Sequence, residues 1–238
     1  MSFVPRAGGS RRWKFIATVC VAAGIFLLLT PVLSNAGPAT EQLRGTVEKV
    51  QGILQDARLK PETQKKQRRV QLRQVMSQRF DFGDMAKRSL GIHWPGRTPA
   101  QQAKFVKLYT DLLEDAYLDQ IEPNVSERFV YLRETRDRDF AEVVTKVIPV
   151  KGEELAINYR LRSTNGNWKI YDLVIENVSV VNNYRSQFNR ILNGSSFDEL
   201  LERLRETRMN QVQAKKSRPD STIVSAWLLA AASPARPH

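Results

Sequence analysis

The chain has 238 residues, of which 37 are Lys or Arg and 25 are Asp or Glu, so its formal net charge is +12. It contains two histidines, His93 and His238, and a single cysteine, Cys20. This composition excludes a disulfide within the chain, a zinc site built from several cysteines, and any cysteine nucleophile beyond the N-terminal apolar segment.

The first 36 residues are typical of an export signal that is cleaved, with Ser34-Asn35-Ala36 as the cleavage site. An apolar run of about fifteen residues begins at Phe15, whereas a membrane-spanning helix needs about 20. We therefore expect cleavage, and retention as an uncleaved anchor is the alternative. Cys20 lacks the small-residue context of a lipoprotein cleavage box, which argues against a lipid anchor. The positive residues before the apolar run are Arg6, Arg11, Arg12 and Lys14.

The remaining chain is also basic. Subtracting the four charges of the signal from +12 leaves +8. Such a balance favours anionic lipid or nucleic acid, and export makes nucleic acid an unsuitable partner. We expect transient contact with membrane headgroups or with an acidic partner protein. The basic residues concentrate in two stretches, Lys65, Lys66, Arg68, Arg69, Arg73 and Arg79, then Arg203, Arg205, Arg208, Lys215, Lys216 and Arg218.

The first half of the exported chain is predicted to be helical. Apolar residues recur at helical spacing after an expected cap at Thr40, and again behind Pro61. Thr98-Pro99-Ala100-Gln101 is a capping box with proline at the first helical position. The helix that it opens carries a wide apolar stripe, Phe105, Leu108, Tyr109, Leu112, Leu113, Ala116 and Tyr117.

The second half of the exported chain has the residue pattern of β-strands. Four strands are predicted, at 129–133, 140–150, 155–162 and 168–175, with hairpin turns at Lys151-Gly152 and Asn165-Gly166. In the third strand Leu155, Ile157, Tyr159 and Leu161 alternate with polar residues, which is typical of an antiparallel sheet with one covered face. The fourth strand is almost continuously apolar, which indicates that both of its faces are covered.

Two helices follow the strands. One is predicted to open at Tyr184-Arg185 with Asn182 or Asn183 as its cap, and the other at the capping box Ser196-Phe197-Asp198-Glu199. Helices, then a meander, then helices describe an α+β domain with a mostly antiparallel sheet of four or five strands packed on one face. We assign residues 37–209 to this domain and residues 210–238 to a basic, disordered tail.

Two blocks of the chain together resemble the MlaC family, also called toluene-tolerance auxiliary proteins. The first runs from Phe80-Asp81-Phe82 through Trp94 to Phe105, and the second is Asn167 to Phe188, NWKIYDLVIENVSVVNNYRSQF. The resemblance covers roughly residues 40 to 206 and implies a periplasmic carrier of phospholipid. It also implies an inner-membrane ABC transporter complex and an outer-membrane lipoprotein–porin complex as partners, a role in outer-membrane lipid asymmetry, no cofactor and no reaction.

A lipid carrier of this kind needs an apolar pocket that encloses the acyl chains. We expect the pocket between the sheet and the long amphipathic helix, and we expect a monomer. Alternation and helix faces cannot separate a filled core from a lipid pocket, so the pocket depends on the resemblance. The residues predicted to line it are Tyr109, Leu112, Val144, Ile148, Ile157, Tyr159, Leu173, Ile175 and Phe188.

Three alternatives remain open from the sequence. In the first, the carrier takes another apolar lipid such as a hopanoid. In the second, the protein is a cone-shaped α+β isomerase or dehydratase that uses Asp172 with Tyr171 or Tyr159. In the third, it is an adaptor that binds a partner protein and holds no ligand. Asp172 interrupts a buried strand, and burial raises the pKa of a carboxyl that has no hydrogen-bond partner. We expect a structural bond instead, from Arg185 or a nearby backbone amide.

Overall fold

The computed structural model of the protein describes residues 36–122, 126–150 and 152–217. Over these ranges the fold is α+β, as predicted: four helices precede a five-stranded antiparallel sheet and two helices follow it. Within the same ranges, no helix combines the length and the hydrophobicity needed to cross a membrane. Residues 1–35 of the predicted signal segment and residues 218–238 of the predicted tail lie outside the described residues. Residues 210–217, which were also assigned to the tail, continue the last helix, Phe197–Ser217. The helices are α1 (Pro38–Gln55), α2 (Lys65–Arg79), α3 (Phe82–Leu90), α4 (Pro99–Ile121), α5 (Val180–Leu192) and α6 (Phe197–Ser217), with 3-10 turns at Glu62–Gln64 and Gly91–His93.

Helix α4 lies at the centre of the helical layer. Its start is the predicted capping box, in which the Thr98 hydroxyl accepts from the Gln101 amide at 3.2 Å and the Gln101 side chain accepts from the Thr98 amide at 3.0 Å. The helix packs against α2, α3 and α6. Because neighbours surround it, side chains on more than one of its faces are buried, including Phe105, Leu113 and Leu118.

Two predicted helix starts are wrong, because other groups satisfy the first backbone amides. Helix α1 begins at Pro38, and the amide and hydroxyl of Thr40 both donate to the Glu134 carboxylate, at 2.8 and 2.7 Å. Helix α5 begins at Val180, and its cap is Ser179, whose hydroxyl accepts from the Asn182 amide at 3.0 Å. The second predicted capping box, at Ser196, is present and opens α6.

The sheet is a simple meander in which each strand pairs with the next. At the turn before β4, Asn165 and Gly166 have φ of +52° and +78°, and positive φ at both central residues is what a two-residue hairpin turn requires. The first strand continues to Asp137, beyond the predicted end at Arg133. The strands are β1 (Arg128–Asp137), β2 (Phe140–Ile148), β3 (Leu155–Thr164), β4 (Asn167–Ile175) and β5 (Val178–Ser179).

The helices cover one face of the sheet, here called the inner face. In β3 the predicted alternation is confirmed, since Leu155, Ile157, Tyr159 and Leu161 are all buried. Strand β4 alternates at first and then has a bulge, in which Tyr171 is skipped between the pairs Leu161–Ile170 and Arg160–Asp172. The bulge changes the phase of the alternation. Inward-facing residues therefore stand close together in the sequence, which partly explains the near-continuous apolar run.

Candidate functional site

Seven of the nine predicted pocket residues lie between the inner face of the sheet and the helices. They belong to one contiguous apolar core, in which the side chains pack against one another. The register supports a common face on the strands, because Tyr159 pairs with Leu173 and Ile157 pairs with Ile175. Helices α4 and α5 provide the opposite wall. The seven are Tyr109, Leu112, Ile157, Tyr159, Leu173, Ile175 and Phe188; their contact with lipid stays a prediction.

Val144 and Ile148 do not share this face, and their assignment to the same pocket is wrong. Val143 pairs with Tyr159 on the inner face, and Val147 pairs with Leu155. Because successive residues of a strand point to opposite faces, Val144 and Ile148 lie on the outer face, where they are only partly buried. Strand β2 carries valines on both faces at this point, so hydrophobicity alone could not fix its orientation.

Aromatic rings fill the helical wall of the interior. Tyr109 of α4 makes edge contacts with Tyr184 and Phe188 of α5, at centroid distances of 5.4 and 6.2 Å. The Tyr109 hydroxyl is satisfied by the Ser89 hydroxyl at 2.8 Å. Burial raises the pKa of Tyr109 and Tyr159 and brings the pKa of Tyr184 to about 12. These phenols stay protonated at neutral pH, so they supply apolar surface and hydrogen bonds to the interior and no base.

Asp172 has the structural role that its position in a buried strand indicated. Its carboxylate accepts hydrogen bonds from the Ser179 hydroxyl at 2.7 Å, the Val181 amide at 3.1 Å and the Arg160 guanidinium at 3.2 Å. The predicted backbone amide is therefore present. The predicted arginine is wrong, because Arg185 donates instead to the Arg88 carbonyl at 2.8 Å.

The enzyme alternative required Asp172 to act together with a tyrosine. Asp172 pairs with Arg160, whose side chain points away from the face that Tyr159 occupies. The Arg88 guanidinium lies 4.3 Å from the centroid of the Tyr171 ring, which places this phenol in a surface stack with a cation. The described structure thus does not bring the proposed pairs together in a common cavity. It also has no group of three or more His, Cys, Asp or Glu residues suited to a metal ion.

Several of the basic residues expected to contact membrane headgroups or an acidic partner protein bind the protein's own carboxylates. Arg68 and Arg69 of α2 bind Glu122, and Arg73 binds Glu114 and Asp115 of α4. We call this set the charge network; it joins α2, α4 and α6. Burial raises the pKa of Glu114, an effect that the nearby Arg73 opposes. Arg208 of α6 completes the network by binding Asp111 at 2.8 Å and Asp115 at 2.7 Å.

A groove of about 310 Å³ lies between α1 and β1, at the edge of the sheet. This groove could not be predicted from the sequence, because no local pattern indicates that residue 44 of α1 lies close to residue 131 of β1. Burial raises the pKa of Glu127, which lines the groove, to about 7. We call this feature the α1–β1 groove, and its lining is Arg44, Val47, Glu48, Gln51, Glu127, Arg128, Phe129 and Tyr131.

A second groove of about 450 Å³ lies between α4 and α6. It is lined mainly by cations, together with Asp111 and two apolar residues, Leu108 and Met209. Two of its cations, Lys107 and Arg208, bind Asp111 within the groove itself. Part of the positive charge of this groove is therefore compensated by the protein.

Comparison with known proteins agrees with the fold and with the resemblance of the two sequence blocks. The intermembrane phospholipid transport system binding protein MlaC of Haemophilus influenzae is 25% identical over 124 residues, which cover 50% of this chain and 58% of that protein. This chain therefore spans less than two thirds of that curated relative.

A solved structure has the same fold. It is a phospholipid-binding protein from Ralstonia solanacearum in complex with a phospholipid, with a TM-score of 0.65 and 24% identity, and the match covers 73% of this chain and 98% of that one. The family described as MlaC protein matches residues 44–206, most of the chain, and this range includes all five strands and the helices α2 to α5. The chain belongs to the MlaC family.

Proposed function

We propose that the protein is a periplasmic phospholipid carrier that moves lipid between an outer-membrane complex and an inner-membrane ABC transporter complex, without a chemical reaction. The observation that carries this proposal is the contiguous apolar interior between sheet and helices in a chain of the MlaC family. The Ralstonia solanacearum protein, which shares the fold, is bound to a phospholipid. Family and fold together support the lipid as cargo.

The physical task of a carrier explains why such an interior is needed. Two acyl chains contain about thirty methylenes, and at ~0.8 kcal/mol each their exposure to water costs on the order of 25 kcal/mol. Only near-complete enclosure makes a soluble intermediate possible. Because the interior side chains pack against each other in this structure, the sheet and the helical layer must separate for acyl chains to enter.

Organic extraction of the purified protein followed by mass spectrometry tests the proposal. The full chain is expressed in a diderm bacterium, and the expected result is one phospholipid for each protein molecule. A hopanoid in the extract would establish the other cargo. Protein that is folded and free of lipid after mild purification would refute the carrier function and favour the adaptor.

The two faces of the sheet offer a matched pair of variants. Ile157→Glu places a charge on the inner face and is expected to abolish lipid retention, whereas Val144→Glu places the same charge on the outer face and is expected to leave it unchanged. Circular dichroism checks that each variant folds, and Ile157→Thr is the milder substitute. Equal retention in both folded variants would show that lipid does not lie against the inner face.

A separate variant addresses the enzyme alternative. Asp172→Asn is expected to lower stability, because an amide cannot accept all three hydrogen bonds, and to leave lipid retention intact in the folded fraction.

A further inference from the structure

The α1–β1 groove contains two buried polar groups that lack a hydrogen-bond partner within the described part of the chain. They are Nε of Arg44 and the hydroxyl of Tyr131. The Arg44 guanidinium lies 4.7 Å from the centroid of the Tyr131 ring, so both groups belong to one small cluster. Nearby Glu41 is 3.9 Å from Arg44 Nε, too far for a hydrogen bond. A buried polar group without a partner costs stability. The Arg44 side chain as a whole is 43% exposed, so the cluster can be reached from outside, and an acceptor that arrives with a ligand would satisfy both buried donors.

The groove also reaches the apolar interior. Tyr131 pairs with Thr145 and Phe129 pairs with Val147, which places both aromatic side chains on the inner face of the sheet. Both rings pack against the same core that contains Tyr159 and Ile157. A molecule with a polar end in the groove and an apolar end directed inward would therefore meet the predicted lipid-lining residues without crossing the sheet.

The charges of the groove indicate the chemistry of the polar end. Two guanidiniums, of Arg44 and Arg128, lie in the same groove as two carboxylates, of Glu48 and Glu127. Arginine is well suited to the oxygens of a phosphodiester, and a phenol hydroxyl adds a second donor. Carboxylates in the same groove would repel a purely anionic headgroup and attract an ammonium group.

We propose that the α1–β1 groove is the headgroup site of the bound lipid and that it takes a zwitterionic phosphate–amine headgroup. Arg44 and Tyr131 donate to the phosphodiester, and Glu48 and Glu127 receive the ammonium group. This assignment deepens the proposed function and depends on it.

The α4–α6 groove provides the contrast. Lys107 and Arg208 are already bound to Asp111, and Arg205 is bound to Glu202 at 2.7 Å. Lys104 lies on the same groove and is exposed, so Lys104→Gln removes a positive charge without affecting the α1–β1 groove. It is the control for non-specific electrostatic attraction to lipid.

The test measures lipid release and headgroup selection with the full chain expressed in a diderm bacterium. After exchange against vesicles of phosphatidylethanolamine and phosphatidylglycerol in equal parts, wild-type protein is expected to hold an excess of phosphatidylethanolamine. Tyr131→Phe and Arg44→Gln are each expected to release lipid about tenfold faster, since each loses a hydrogen bond to a charged group. Glu48→Gln with Glu127→Gln is expected to reduce the phosphatidylethanolamine excess about threefold.

The stability of the lipid-free Tyr131→Phe variant shows whether the Tyr131 hydroxyl contacts a ligand or has a structural role. Tyr131→Phe removes a buried hydroxyl that has no partner among the described residues, so the lipid-free variant is expected to unfold at the same urea concentration as wild-type protein or at a higher one. Faster release from a variant that is no less stable would be a ligand effect. If lipid-free Tyr131→Phe is clearly less stable than wild-type protein, the hydroxyl is structural and the proposal fails.

The remaining outcomes are also decisive. The headgroup site would be overturned, and the carrier function left intact, if Arg44→Gln and Tyr131→Phe both released lipid at the wild-type rate. The same conclusion would follow if Lys104→Gln raised the release rate as much as these two variants do. Wild-type protein that never holds lipid would overturn the carrier function itself. Competition by inorganic phosphate as effective as that by vesicles would show that the groove is a free-phosphate site instead.

Discussion

The charge network and the α1–β1 groove are both built from arginines and carboxylates, and they differ in how completely these groups are paired. In the network, Arg73 and Arg208 converge on Asp115, whose side chain is only 9% exposed. In the groove, Arg44 Nε and the Tyr131 hydroxyl are buried and have no partner within the described residues. The same residue types are therefore fully paired in one region and partly unpaired in the other.

The degree of pairing indicates the role of a charged cluster in this protein. A cluster whose buried charges bind each other has no capacity left for a ligand, and its role is to fix helices. A cluster whose buried donors are unmatched pays a cost in stability that a bound ligand can recover. Variants in the two regions should accordingly change different properties, stability in the network and lipid exchange in the groove.

The largest expected effect is in the network. Asp115→Ala leaves the guanidiniums of Arg73 and Arg208 facing each other without the carboxylate that both bind. Removal of one partner from a buried ion pair costs about 3 kcal/mol or more, and the partial exposure of both arginines lowers the expected loss to about 2 kcal/mol. Urea unfolding measures the loss in free energy.

The matched control is an exposed pair on the same helix as Arg208. Glu202 binds Arg205, but their side chains are 58% and 41% exposed. Glu202→Ala is therefore expected to change the free energy of unfolding by less than about 0.5 kcal/mol. If the two variants lost equal stability, burial would not distinguish the network from the rest of the surface.

A smaller effect is expected where α1 is attached to β1, next to the groove. Glu134 accepts from both the amide and the hydroxyl of Thr40 and so caps the first turn of α1 from a different element. Glu134→Ala should cost about 1.5 kcal/mol, which is the usual size of a lost cap, because the amide of Thr40 then lacks its acceptor. Urea unfolding again provides the measurement, and Glu134→Gln, which keeps one acceptor oxygen, should recover part of the loss. Full stability in the alanine variant would mean that water replaces the carboxylate without cost.

The position of the Glu134 carboxylate also leaves no space for a side chain at Gly37, which precedes α1. A Cβ atom on Gly37 would collide with the Glu134 carboxylate. Any side chain at this position forces Glu134 to move, so Gly37→Ala should reproduce part of the Glu134→Ala defect.

Much of the fold could be predicted because its determinants are local. Capping boxes at Thr98 and Ser196 and the Asn165-Gly166 turn depend on residues within four positions of each other, and all three are confirmed. Long-range capping could not be predicted in this way. The cap of α1 comes from Glu134, which is 94 residues away from Thr40, and no local pattern indicates it.

The predicted faces of the sheet were partly wrong for the same reason. Ile157 and Tyr159 lie on the inner face as predicted, because β3 alternates regularly. Val144 and Ile148 were assigned to the wrong face because β2 has apolar residues on both faces, and only its register with β3 fixes the orientation. Helix α3 was not predicted as a helix, since at Phe82–Leu90 it is too short for a clear periodic pattern. The α1–β1 groove combines a helix and a strand that are distant in the sequence.

The smallest effect expected here is a pH dependence that originates in the groove. The pKa of Glu127 is about 7 because burial disfavours its charged form, and Arg44, Glu48, Arg128 and Tyr131 line the same groove. A carboxyl whose folded pKa lies above its unfolded value holds its proton more tightly in the native state. Its contribution to stability is therefore complete below about pH 4.5 and is lost as the pH rises through about 7. Glu127→Gln, which stays neutral, should match wild-type stability near about pH 5 and exceed it by about 1 kcal/mol near about pH 8, after allowance for solvent screening.

Urea unfolding at the two pH values measures this difference. Glu122→Gln in the charge network is the control and should show no such gain, because the Glu122 carboxylate is bound to Arg68 and Arg69. A gain in stability at the higher pH from Glu122→Gln as well would mean that the paired and unpaired regions respond to charge in the same way, and the distinction between them would fail.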